Sequence, residues 1–159
     1  MSETLSPAAQ RVQDALAALG FTYRVVESDH PTRTARDAAR AVGCDVAQIA
    51  KSLVFRTAPT GRPILVIASG ANQVNEWRVG VLLKEKLEKA PPAFVHEHTG
   101  FAVGGVAPLG HPKPLETFID RDLMQHAAIW AAGGTPNALF SLVPADLVTM
   151  TRGRVVAIT

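Results

Sequence analysis

At 159 residues the chain is of a size to form one domain spanning residues 1–159. With 47% hydrophobic and 19% charged residues it can bury a core, which excludes the disordered class, and a net charge of +2 permits a nucleic-acid ligand without demanding one. A single cysteine, Cys44, excludes an internal disulfide and points to a reducing compartment. The opening "MSETLSPAAQ" lacks the basic-then-apolar pattern of a secretory signal, and apolar runs such as "ILVIA" are too short to cross a bilayer. The expectation is a cytoplasmic protein with no membrane partner.

The first predicted helix is "SPAAQRVQDALAALG", with Ser6 as cap, Pro7 at the first helical position and an apolar stripe of Val12, Ala15, Leu16 and Leu19. "FTYRVV" alternates like a strand. "TARDAARAVG" is a second helix, capped by Thr34 with Asp37 three residues on. Its small face of Ala35, Ala38, Ala39 and Val42 suits close approach to a sheet. Arg33, Arg36 and Arg40 line another face, either as a solvated surface or as a phosphate-facing patch. Two apolar runs flanking "APTGRP" then read as a hairpin. "NEWRVGVLLKEKLEK" reads as a helix with Val79, Leu82, Leu83 and Leu87 inward, and "PPAFVHEH" starts a shorter one. "LETFID", "AAIWAAGG", "ALFSLV" and "VVAIT" read as strands, with a short helix at "PADLVTM". Strands outnumber helices and are joined by short turns, so the fold class is α+β: a mixed or largely antiparallel sheet with helices packed on it.

Chemistry concentrates at two places. Lys51 opens the core strand that continues through Leu53 and Phe55. An ammonium there can hold a phosphate or a polarised carbonyl from a rigid element, although such a lysine can also simply lay its stem on apolar neighbours. The loop "GFAVGGVAPLG", residues 100–110, holds four glycines and a proline. Its backbone N–H groups can form an oxyanion cradle, the plainer alternative being an irregular turn. It is neither the dinucleotide fingerprint nor a Walker loop. His96 and His98 stand two apart on a helix and diverge, so no shared metal is expected. Cys44 reads as a buried structural thiol, and no Gly-x-Ser-x-Gly elbow exists. His30, in the loop before the arginine helix, is the histidine to place near a pocket. Gly133 and Gly134 either shape a pocket wall or make a hairpin turn.

Taken in order, "TARDAARAVG", "QIAKSLVF", the hairpin strand, "TGFAVGGVAPLG", "TFID", "IWAAGG" and "LVPADL" resemble the YbaK/ProX family of aminoacyl-tRNA deacylases. That family includes the editing domain of bacterial prolyl-tRNA synthetases. The resemblance covers roughly residues 5–157. It implies a mixed sheet curled into a partial barrel and surrounded by helices, and hydrolysis of the ester joining a wrong amino acid to the 3′ end of tRNA. It implies that Lys51 is the key active-site lysine and that Gly104, Gly105 and Pro108 lie in the substrate loop, with no metal or organic cofactor. On this reading Lys51, Gly104 and Gly105 are catalytic. His30, Thr34, Ala35, Val106, Pro108, Gly133, Gly134 and Leu139 bind substrate, and Arg33, Arg36 and Arg40 bind tRNA.

Some family members carry an acidic or histidine residue where this chain has Leu139 and Phe140, so the expected pocket is apolar and takes a small uncharged amino acid. The expected partners are the aminoacyl-tRNA acceptor end and a synthetase. Two other readings stay open: a non-catalytic aminoacyl- or nucleotide-binding module on the same scaffold, and a general phosphate-ester or small-molecule hydrolase.

Overall fold

The computed structural model describes residues 4–159. Helix α1 (Pro7–Ala18) buries Ala9, Val12 and Leu16, while Leu19 falls at its C-cap and is exposed. Ser6 occupies the N-cap position but makes no side-chain cap bond. Its Oγ and N–H instead donate to the carboxylate of Glu27, at 2.7 and 2.8 Å. In "FTYRVV" the ladder is confined to β1 (Val26–Glu27), short of the expected strand. The reason is Gln13 of α1, whose amide donates to the Tyr23 carbonyl and accepts from the Val25 N–H, both at 2.8 Å. One side chain thus takes the hydrogen bonds a neighbouring strand would have taken.

Helix α2 (Ala35–Val42) forms as its caps dictate. The Thr34 hydroxyl accepts from the Asp37 N–H, and Gly43 ends the helix in the left-handed region. A 3₁₀ turn (Val46–Gln48) leads into β2 (Ile49–Ala58), which pairs antiparallel with β3 (Pro63–Ser69) as the expected hairpin. Helix α3 (Glu76–Leu83) stops earlier than its apolar spacing suggests. Lys84 turns left-handed with φ 59°, and the chain folds back as β4 (Lys86–Lys89), so Leu87 sits in a strand opposite Thr57. Gly80 permits that return, since a Cβ there would stand 2.7 Å from the Glu85 carbonyl oxygen. Helix α4 (Pro92–Thr99), β5 (Glu116–Asp120), β6 (Ile129–Ala132), β7 (Ala138–Leu142) and helix α5 (Pro144–Thr151) follow where the sequence puts them, while β8 (Arg154–Val156) starts a residue before "VVAIT" and leaves residues 157–159 outside the ladder.

Among the described residues the eight strands form one mixed sheet in the order β1-β7-β6-β2-β3-β5-β8, with β4 branching off β2. Four pairings are antiparallel (β1–β7, β2–β3, β2–β4, β6–β7) and three are parallel (β2–β6, β3–β5, β5–β8). The sheet is open, ending at β1 and β8. Its layers are filled by Leu16, Phe101, Phe140 and Leu147 on one side and by Phe55, Val79, Phe118 and Ile158 on the other.

The ten-residue strand β2 positions the site. On its edge away from β3 it pairs with β6 only at Ile49 and Ala50, and with β4 only from Phe55 onward. Among the described residues no strand lies beside 51–54 on that edge, and the sheet splits there. The Thr57 N–H donates to Arg62 and the Ile49 carbonyl accepts from Gly70, so the odd-numbered residues of β2 turn their backbone groups toward β3. Ser52 and Val54 turn theirs toward the split.

Candidate functional site

A cleft of about 1070 Å³ opens at the split in the sheet. Its floor is β2 from Ile49 to Phe55, and α2, α4 and the loop around Gly104 wall it. Among the described residues four cationic side chains line it (Arg33, Arg36, Lys51 and Lys89), and no carboxylate does. The rest of the lining is largely apolar, including Ala35, Ile49, Val95, Val106 and Leu139. Such a lining suits a ligand that carries both negative charge and apolar surface.

Lys51 is half-buried on β2, and its Nζ donates to the Asn72 carbonyl at 3.0 Å. An ammonium has three donors, so two remain for a ligand. The Asn72 side chain is itself fixed, donating to Asp120 and Asp122, each at 2.8 Å. Asp120 is 1% exposed and also accepts from the Ser69 N–H at 2.9 Å. A hydrogen-bonded chain therefore runs from the buried carboxylate through Asn72 to the lysine. Asn72 and Asp120 are not legible as site residues in the sequence, because their partners lie far along the chain. The turn-forming "SGANQ" was the only local sign.

The glycine loop divides by role. Gly104 is exposed, has φ 96° and lines the cleft, and a Cβ added there would meet only Pro136, at 3.9 Å. Gly105 is buried, and a Cβ there would stand 2.7 Å from the Thr135 Cα. Its N–H already donates to the Ala102 carbonyl at 3.0 Å. Among the described residues the Gly104 and Val106 N–H groups have no acceptor, which leaves them as the loop's available donors. Pro108 is buried behind the loop and does not line the cleft. The loop rests on α1, where the Arg11 guanidinium lies 4.0 Å from the Phe101 ring centroid and donates to the Thr99 carbonyl.

Of the other expected positions, Thr34, Ala35, Val106, Leu139, Arg33 and Arg36 line the cleft. Arg40 is exposed on α2 outside it, and His30 is exposed in the preceding loop. Thr32 takes the rim position instead, bound through its N–H and Oγ1 to the Pro136 carbonyl. Gly133 and Gly134 pack against structure: a Cβ would stand 2.8 Å from Val25 at the first and 2.7 Å from the Ala8 carbonyl oxygen at the second. Lys89, Ser52 and Gly70 line the cleft without having been singled out in the sequence. At Gly70 a Cβ would collide with the Val46 carbonyl and stand 2.8 Å from Ala35 Cβ, so this glycine lets α2 close on β3.

The titratable groups around the site are anchors. Burial pushes the Glu27 carboxyl up, but hydrogen bonds from Ser6 and Thr135 outweigh it and hold it below the ordinary glutamate value. Glu27 thereby ties the start of α1 to the glycine turn at Thr135. Burial drives His111 below the ordinary imidazole value, against a bond to the Ala107 carbonyl at 2.8 Å. The Cys44 thiol is half-buried rather than fully buried, and burial followed by the Asp45 charge pushes it up, which does not suit a nucleophile. No group of three or more metal-ligating side chains is clustered among the described residues.

Fold and cleft together define an α+β domain with a lysine and a glycine loop at one cationic cleft. Residues 29–150 match the aminoacyl-tRNA editing domain, and the chain belongs to that family. It is 30% identical to YwhH of Bacillus subtilis over 77% of this chain and 78% of that protein. It is 24% identical to EbsC of Enterococcus faecalis, named as a candidate Cys-tRNA(Pro)/Cys-tRNA(Cys) deacylase, over 79% of this chain and 77% of that one. A solved structure described as a candidate trans-editing enzyme for prolyl tRNA synthetase superposes with a TM-score of 0.93 at 45% identity, covering 98% of this chain and 99% of that one.

Proposed function

We propose that the chain is a trans-editing deacylase that hydrolyses the ester between a small uncharged amino acid and the 3′ end of a mischarged tRNA. The observation that carries this reading is that Lys51 and the free N–H groups of the Gly104–Val106 loop line one cationic cleft. The ester is already activated, so the site need only place a water and stabilise the oxyanion that forms as water adds to the carbonyl carbon. The Gly104 and Val106 N–H groups donate to that oxygen. Lys51, held by Asn72, binds the terminal phosphate or the carbonyl. The C–O bond to the ribose then breaks, and the proton given up by the water ends on the ribose oxygen, with the neighbouring 2′-hydroxyl as carrier.

Ala35, Val106 and Leu139 form the apolar wall for the amino-acid side chain. Such a wall separates substrates differing by a methylene by only about 1–3 kcal/mol, so alanine, 2-aminobutyrate, serine and threonine overlap as substrates. Arg33 and Arg36 face the acceptor end from the cleft rim, and a synthetase is the partner from which mischarged tRNA arrives.

The test is to incubate the protein and its Lys51→Ala variant with tRNAs mischarged with these amino acids. Release by the parent and none by the variant is expected. Binding of tRNA without release would mark the non-catalytic module instead.

A further inference from the structure

The split edge of β2 carries polar groups that the protein leaves unmatched. Among the described residues the Ser52 N–H, the Ser52 carbonyl and the Val54 N–H have no hydrogen-bond partner, and they face the gap between β6 and β4. The Ser52 Oγ beside them is out of contact with solvent and is also without a partner. Ser52 and Val54 both line the cleft, on the strand that carries Lys51. Unmatched backbone groups at the floor of a cleft are costly to leave so, and they are the groups a ligand would satisfy.

We infer that this edge is the subsite for a nucleobase, the terminal adenine of the tRNA on the functional reading above, and that it binds the base through the Ser52 carbonyl and the Val54 N–H. On an open strand edge the carbonyl of one residue and the N–H of the residue two further on stand side by side as an acceptor–donor pair. Adenine presents the complement on its Watson–Crick edge: the N6 amino group donates and N1 accepts. An amino group of the substrate fits less well, because an ammonium only donates and would leave the N–H groups unmatched. An added peptide strand fits less well too. The open stretch is only residues 51–54, about 10 Å at the rise of a strand, and β6 and β4 close it at both ends. Along β2 the pair begins at the residue next to Lys51 and ends about 10 Å from it, so the base and the group held by the lysine lie on one stretch of strand. A cleft of about 1070 Å³ is large enough for an aminoacyl-adenosine.

The direct test is an amide-resolved NMR titration of the ¹⁵N-labelled protein with adenosine monophosphate and with the purine riboside monophosphate, which lacks N6. The Ser52 and Val54 amides shift with adenosine monophosphate, and the purine analogue binds at least tenfold more weakly. The 1-deaza analogue, lacking the N1 acceptor, shows the same loss. In parallel, a mischarged tRNA ending in purine riboside is deacylated with kcat/KM at least tenfold below its adenosine-ended counterpart. Val54→Pro removes the facing N–H without breaking a bond to β3 and abolishes the preference for adenosine monophosphate over its 1-deaza analogue, while the preference over the purine analogue, which rests on the Ser52 carbonyl, stays. Equal binding of the three nucleotides, or shifts that spare Ser52 and Val54, would overturn the assignment even if mischarged tRNA is hydrolysed. Failure to hydrolyse any mischarged tRNA would overturn the functional reading, while the nucleotide titration would still decide whether the edge binds the base.

Discussion

Lys51 depends on a carbonyl that its own neighbourhood in the sequence does not contain. Its position at the head of a core strand was readable, because cap, turn and strand alternation are local patterns. Its anchor was not, since Asn72 and Asp120 reach it only through the hairpin and the parallel β3–β5 ladder. Removing this ammonium gives up one hydrogen bond, worth about 1 kcal/mol, so Lys51→Ala is expected to stay folded and to lose deacylation. Lys51→Arg rescues poorly, because a planar guanidinium does not fit a compact ammonium site. Thermal unfolding and single-turnover rates on the same two variants check both statements, and a folded Lys51→Ala protein with the parental rate would remove the lysine from the mechanism. The two loop glycines separate in the same way. Gly104→Ala has space but must hold φ 96°, and it is expected to lower turnover while the protein stays folded. Gly105→Ala must push Thr135 backbone aside, so its loss is expected first in the melting temperature. In sequence the pair look alike, because nothing local reveals that Thr135 lies against one of them.

The helices and strands show where pattern reasoning holds and where tertiary contacts override it. Helix α2 was readable in full, since Thr34 and Gly43 cap it and small residues mark its buried face. The sequence pattern carries helix α3 too far, because Val79, Leu82, Leu83 and Leu87 keep a helical spacing by coincidence. Pairing of β4 with β2 draws Leu87 into the sheet, and that contact is invisible to periodicity. The turn between β3 and α3 is the element on which the lysine leans, so Asn72→Ala tests it. That change frees the turn from Asp120 and Asp122 and is expected to lower kcat by about tenfold or more, since a misplaced catalytic group costs rate steeply. KM for tRNA is expected to stay near parental, because the arginines remain. A rise in KM with unchanged kcat would show that Asn72 serves binding and does not position Lys51.

For the protein as a whole, charge and pH give further checks. Arg33 and Arg36 line the cleft and Arg40 does not, a division the arginine spacing alone does not reveal. Replacing the first two with Ala is expected to weaken both full tRNA and a short aminoacyl-adenosine mimic. Replacing Arg40 is expected to weaken only full tRNA, with a smaller salt slope. Equal effects of all three on the mimic would show that Arg40 reaches the cleft. His111 has a folded-state value below that of the unfolded chain, so between the two values the unfolded state binds more protons. Stability is therefore present above the ordinary imidazole value of about 6.5 and declines as pH falls below it. Melting temperature followed from about pH 8 to about pH 5, the range in which an imidazole titrates, is expected to drop less for His111→Gln than for the parent, and parallel curves would contradict the assignment.

The split edge of β2 also has a consequence in time. Within one strand, the amides of Lys51, Leu53 and Phe55 point into the β3 ladder, and those of Ser52 and Val54 point into an open cleft. Hydrogen exchange along β2 should therefore alternate: slow amides that open only when the sheet unfolds, interleaved with fast ones that exchange from the native state. The most durable part of the sheet and the part left free for a ligand are then successive residues of one strand. A ligand seated on the edge would slow the fast amides and leave the slow ones nearly unchanged.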